Sequence, residues 1–387
     1  MSGKILDLIN LHEKYRSSTI NLIPSENVMS EKALKALASD LTHRYHHEWF
    51  YGGQKYIQEI ISETRRSVRN LFQAEYAFIE PLSGNIALLS TILALTREGD
   101  SVAALNFRHG GYPFAYEKIY RKFIELPFDE SEGNIDAERA QDVILTAKPK
   151  LVVLGASFIL FPHPVKEIAE TAKEVGAITI YDGSHVLGLI AGGEFQDPLR
   201  EGADILLGST HKTFPGPQGG IILCDNDEIY GRLREYFGFP LVIVDNPHVN
   251  RIAALGITAV EMQLYGKEYA RKVVENAQFL ASQLCKKGLN ISHPEKGFTR
   301  SHQIHLKVGD EKEGRAIVDT LEKAGIIADI AVRFGTQEVT RRGITQEDLR
   351  RIVEIISEIL IDKKDPTSFR EETRSIALRL NRVLYSI

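Results

Sequence analysis

Between residues 76 and 223 the chain alternates two textures. Short continuous runs of aliphatic, aromatic and β-branched residues occur at 76–79, 101–105, 123–126, 151–154, 177–181, 205–207 and 221–223. Stretches with an apolar residue every three or four positions fill most gaps, as at 86–95 and 165–174. Apolar runs without polar alternation predict strands buried on both faces. Their alternation with helices predicts a mostly parallel sheet. The expected fold is therefore α/β, a mostly parallel seven-stranded sheet in a large domain with helices on both faces. Ahead of the sheet, helices are predicted over 30–41, with Ser30 placed to cap the first turn, and over 56–72. Beyond residue 245 the texture changes: a long helix over 250–286, then strand, helix, strand and helix at 302–306, 312–324, 326–330 and 345–361, and a helical tail. That pattern reads as a smaller C-terminal α/β domain. The expected division is an N-terminal arm over 1–30, a large domain over 31–265 and a small domain over 266–387.

Composition narrows the classes. Of 387 residues, 43% are hydrophobic and 26% charged, which excludes a disordered or collagen-like chain. Lys and Arg number 47 against 52 Asp and Glu, a net charge of −5. That balance gives no general attraction to nucleic acid or to an anionic membrane, and neither is an expected partner. Cys224 and Cys285 are the only cysteines, and no Cys-x-x-Cys is present. A disulfide scaffold or a cysteine metal site is excluded, and a reducing cytoplasmic setting is expected. The first 15 residues lack the apolar centre of a signal peptide, and no run of about twenty apolar residues predicts a transmembrane helix.

In a sheet of this kind ligands gather beyond the carboxyl ends of the strands. After 76–79 comes Ser83-Gly84-Asn85, opening a helix whose free N–H groups and dipole suit a phosphate. After 177–181 comes Asp182-Gly183-Ser184-His185, an acid able to face a cationic ring nitrogen, or equally an Asx-turn beside a satisfied histidine. After 205–207 comes Ser209-Thr210-His211-Lys212-Thr213, followed by Gly216, Gly219 and Gly220. Partial burial there would lower the Lys212 pKa and free its amine as a nucleophile. Phosphate cradle, aspartate and lysine, in that order, suit pyridoxal phosphate: the lysine anchors it and the aspartate keeps its ring nitrogen protonated. Arg333, read as following the strand 326–330, supplies a bidentate fork for an amino-acid carboxylate.

Taken together these segments resemble the serine hydroxymethyltransferase family, of the aspartate-aminotransferase-like fold group. The matching pieces are Asn21-Leu22-Ile23-Pro24-Ser25-Glu26-Asn27, Tyr51-Gly52-Gly53, Pro81-Leu82-Ser83-Gly84, Asp182-Gly183-Ser184-His185, Thr210-His211-Lys212-Thr213 and Arg333-Phe334-Gly335-Thr336. The resemblance implies that Lys212 carries pyridoxal 5'-phosphate, beside His211 and Thr210. It implies that Ser83, Gly84 and Asn85 hold the phosphate, Asp182 the ring nitrogen and Ser157 the phenolic oxygen, with His185 and Tyr112 beside the ring. Ser25 and Arg333 would bind the substrate carboxylate. Tyr51 would reach in from a second copy of the chain, so a homodimer with shared active sites is implied. The reaction implied is interconversion of serine and glycine with a tetrahydropterin one-carbon carrier, folate or a modified pterin.

Departures from the family pattern cluster on the pterin side. The loop between Tyr45 and Tyr51 is shorter than the family's, and Glu48 is the candidate acid–base glutamate. Phe50 replaces a tyrosine, and Tyr112 replaces a histidine that stacks on the cofactor. A phenol stacks equally well but does not titrate near neutrality. Asp245-Asn246 replaces a glycine pair. These changes keep a rival open: a pterin-independent aldolase or transaldolase, or an α-methylserine-type transferase, acting on β-hydroxy amino acids. His43, His46, His47 and Glu48 have spacing that zinc can use. Their place in the implied subunit-crossing loop favours an interface or substrate-facing role, and no metal is expected.

Overall fold

A computed structural model describes residues 2–47, 50–112, 116–237 and 243–387. The seven predicted apolar runs all form strands, and they join in one sheet. They are β1 (Tyr76–Phe78), β2 (Ser101–Ala104), β3 (Lys122–Glu125), β4 (Leu151–Leu154), β5 (Ile178–Asp182), β6 (Ile205–Ser209) and β7 (Gly220–Cys224). Their spatial order is β1-β7-β6-β5-β4-β2-β3. Only β7 runs against its neighbours. Every residue of β4, β6 and β7 is buried, as strands covered on both faces require. The helix Gly84–Leu95 packs on β6 and β7, and Val165–Glu174 packs on β5. Edge strand β3 has exposed ends.

Register decides where the loops emerge. Leu154 of β4 pairs with Tyr181, and Asp182 of β5 pairs with Leu207. The chain therefore leaves β4, β5 and β6 at one edge of the sheet. Antiparallel β7 begins at that edge, with Gly220 opposite Ser209. β1 ends there too, because Phe78 pairs with Ile222. Four loops from distant parts of the sequence converge for this reason, β6 and β7 sharing the connection 210–219.

The chain forms two compact units, Asn27–Ala270 with Tyr385–Ile387, and Met1–Glu26 with Arg271–Leu384. The sheet belongs to the first. The second holds two small sheets: Ile20–Asn21 parallel to Ile326–Ile327, and Gln303–His305 antiparallel to Arg333–Gly335. Its core includes Leu280, Leu284, Leu321, Phe334, Ile352 and Ile356. The strand expected over 326–330 is cut to two residues. Val332 N donates to Asp329 O (2.8 Å) and the Asp329 carboxylate accepts from Arg333 N (3.3 Å), closing a turn. Val332 sits at φ 48° within it. Arg333 therefore opens a strand of its own rather than following one. The helix expected over 30–41 stops earlier, at Glu31–Leu37, with Ser30 Oγ accepting from Ala33 N (3.2 Å) as its cap.

Candidate active site

The phosphate-type cradle is a backbone feature. Ser83 caps the helix Gly84–Leu95, its Oγ accepting from Ile86 N (3.1 Å). An added methyl at Gly84 would clash with Ser209 Oγ and lie 3.0 Å from Ser184 Oγ. One at Gly220 would clash with the Ser83 carbonyl. Only glycine lets β6, β7 and this helix start approach so closely. Asn85 is exposed on the first turn.

Asp182 ends β5 with 5% exposure. Its Oδ1 accepts from Ser184 N (2.9 Å), while Oδ2 is buried with no hydrogen-bond partner. Burial raises the carboxyl pKa; the Ser184 hydrogen bonds and the Lys212 charge oppose that shift. Ser184 Oγ accepts from Ser209 N (3.0 Å), which ties the β5 loop to the β6 loop. The Tyr112 hydroxyl hydrogen-bonds with Ser184 and Ser209, and burial pushes its pKa well up, so it stays a neutral phenol. Ser157 donates through Oγ to Gly110 O (3.0 Å), holding the loop that carries Tyr112.

The lysine loop is locked from several sides. Thr210 is fully buried and donates to Pro217 O (2.6 Å). Thr213 donates to His185 O (2.7 Å) and accepts from Gly188 N (3.0 Å). Asn27 Nδ2 donates to Lys212 O (2.7 Å) and to the Tyr269 hydroxyl (2.8 Å). Lys212 itself is half-buried. His211 is pushed down to about 4, first by burial and then by the Lys212 charge, so its imidazole is neutral at pH 7.

In the other unit, Arg333 is paired with Asp329 (2.7 Å). Ser25 is half-buried, in a loop pinned by Gln337 Nε2, which donates to Ile23 O (2.8 Å) and Glu26 O (2.6 Å). Back in the unit that holds the sheet, Tyr51 is 42% exposed against the rings of Tyr45 and Phe50. Glu48 lies outside the described residues. His46 and His47 line a cleft of about 730 Å³ with Arg65, Glu80 and Asp245, and His46 Nδ1 pairs with Gln54 (2.8 Å). Among the described residues no three His, Cys, Asp or Glu gather as a metal-ligand set.

The described sheet edge thus brings Ser83, Gly84, Tyr112, Ser157, Asp182, His185, Thr210, His211 and Lys212 to one place. Sequence reasoning did not single out Ser184, Ser209 or Asn27. All three stood within quoted motifs, but their partners lie on other loops.

Comparison with known proteins decides the family. The serine hydroxymethyltransferase family model matches residues 1–356. The chain belongs to that family. Serine hydroxymethyltransferase of Pyrococcus furiosus is 42% identical, covering 99% of this chain and 96% of its own. That of Methanothermobacter thermautotrophicus is 41% identical over 99% and 95%. L-threonine transaldolase from Pseudomonas fluorescens, solved in its internal aldimine state, superposes with TM-score 0.92 at 26% identity, over all of this chain and 94% of its own. As a serine hydroxymethyltransferase family member, the protein is a pyridoxal-phosphate enzyme that cleaves the Cα–Cβ bond of β-hydroxy amino acids. The orphaned Asp182 Oδ2 and the Gly84–Gly220 cradle fit that cofactor.

Proposed function

We propose that the protein transfers a one-carbon unit between serine and glycine, with a tetrahydropterin as carrier, and that the residues gathered at this sheet edge hold its cofactor. The observation that carries the site assignment is Asp182: a buried carboxylate with one oxygen unpartnered, sensing the Lys212 charge. When bound, the cofactor supplies an electron-withdrawing ring that accepts the electron pair of a broken Cα bond. Lys212 is the amine that holds it. Asp182, through its unpartnered Oδ2, would hold the ring nitrogen in its protonated form. The N–H groups of the helix beginning at Gly84 take the phosphate. Neutral His211 donates or accepts a hydrogen bond without adding charge. Tyr112 keeps its proton and offers a flat face. Arg333 and Ser25 fix the substrate carboxylate, so that one Cα bond is presented for cleavage. Glu48 removes the β-hydroxyl proton of serine.

A homodimer completes this reading. Its support is the exposure of Phe50 (66%) and of Ile5, Leu6 and Leu11 on the helix Ser2–Ser17, large apolar groups that a second copy would cover. Two free cysteines support a reducing, cytoplasmic setting. A second reading, a pterin-independent aldolase or transaldolase, is favoured by Tyr112, which has no proton to exchange near neutrality.

The visible spectrum separates the two. With glycine, addition of tetrahydrofolate is expected to build a strong long-wavelength band. A spectrum unmoved by tetrahydrofolate and by a modified tetrahydropterin would favour the pterin-free reading. Absence of any bound chromophore would overturn both.

A further inference from the structure

We infer that Arg251 is a phosphate ligand of the cofactor, supplying the fixed positive charge of the cradle formed by Ser83, Gly84, Gly219 and Gly220. The inference rests on the pyridoxal-phosphate assignment and adds a residue to it.

Arg251 is 5% exposed. Nη2 is fully committed, donating to the carbonyls of Ile79 (2.6 Å), Pro247 (3.1 Å) and Glu80 (3.3 Å). Nε and Nη1 are buried and have no partner. The nearby acid whose charge Arg251 feels, Glu80, is engaged by Arg65. Burial lowers the Arg251 pKa only to about 10, so the guanidinium is charged at neutral pH. A buried cation with two unused N–H faces is costly unless an anion meets it.

The position of the unused face says which anion. A methyl added at Gly219 would lie 2.7 Å from Arg251 Nη1 and 3.1 Å from Thr210 Oγ1. Gly220, the next residue, abuts the Ser83 carbonyl and lies 3.1 Å, by the same measure, from Gly84 N. Two consecutive glycines thus have the orphaned guanidinium on one side and the helix N-terminus on the other. A phosphate monoester dianion suits both: it accepts from backbone N–H groups and from an arginine fork. The three carbonyls that hold Nη2 fix the guanidinium plane in advance, so little order is lost on binding.

The test uses apoprotein with pyridoxal phosphate and with pyridoxal, which lacks the phosphate. In Arg251→Met the Kd for pyridoxal phosphate is expected to rise roughly 30-fold, with that for pyridoxal unchanged. Inorganic phosphate is expected to raise the unfolding temperature of wild-type apoprotein and not that of the variant. Gly219→Ala keeps the arginine but crowds Nη1. It gives the same selective loss in smaller measure, and it stands in should Arg251→Met fail to fold. Equal loss for both ligands, or no loss in either variant, would overturn the role of Arg251 alone. Failure of the wild type to bind either ligand would instead overturn the cofactor assignment beneath it.

Discussion

Asp182 carries two opposed obligations. It is a buried carboxylate with one oxygen that no protein group meets, and burial raises its pKa. A group whose folded pKa exceeds its unfolded value of 3.8 destabilises the fold at pH above both, and the penalty disappears as pH falls below 3.8. Asp182→Asn is therefore expected to leave apoprotein at least as stable as wild type at pH 7, with the difference closing in acid. The same change removes the charge that holds a proton on the ring, and turnover should fall by roughly 10² or more. Urea titration of the apoprotein and steady-state rates read the two effects separately. A variant both inactive and markedly less stable would mean that Asp182 acts as a structural residue. The acid itself was legible in the sequence because it ends a strand before Gly183-Ser184. Arg251 was not, because a single arginine early in a helical pattern reads as solvent-facing. Its burial depends on carbonyls far away, at Ile79 and Glu80.

At the level of elements, the cradle depends on how closely β7 can approach the start of the helix Gly84–Leu95. Ser83→Ala loses a cap worth about 1 kcal/mol but leaves the backbone N–H groups where they were. Gly220→Ala pushes a methyl into the Ser83 carbonyl, which cannot move without shifting the helix start. The alanine at 220 should thus weaken pyridoxal phosphate binding at least tenfold, in order-of-magnitude terms, while the alanine at 83 costs mainly stability. Fluorescence titration together with thermal unfolding distinguishes them, and equal affinity losses would contradict a backbone cradle. The strands themselves were legible because β4, β6 and β7 are apolar runs with no alternation. The second unit was less so: Asp329, read as part of the strand 326–330, closes a turn with Val332 instead, and two-residue strands such as Ile20–Asn21 carry no periodicity.

Across the whole molecule, charge placement predicts how the fold meets acid. His163 is 4% exposed, its Nδ1 paired with Asn134 (2.6 Å) and its Nε2 without a partner. Burial holds it down at about 4, and His211 is likewise down at about 4. For a base whose folded pKa lies below its unfolded value of 6.5, the unfolded chain binds more protons between those values. Stability is then intact above pH 6.5 and falls as pH drops toward 4. The loss for His163 is on the order of 3 kcal/mol. Asp182 works in the opposite direction, since its protonation relieves a buried charge, so the raw pH profile mixes both signs. Comparing wild type with His163→Asn isolates one contribution. Both should lose stability in urea titrations from pH 7 to 4, the variant by a few kcal/mol less. The variant starts from a lower plateau, because it gives up the Asn134 contact and packed ring volume. Parallel curves would mean that His163 titrates as it does in the unfolded chain, and that its burial does not exclude the proton.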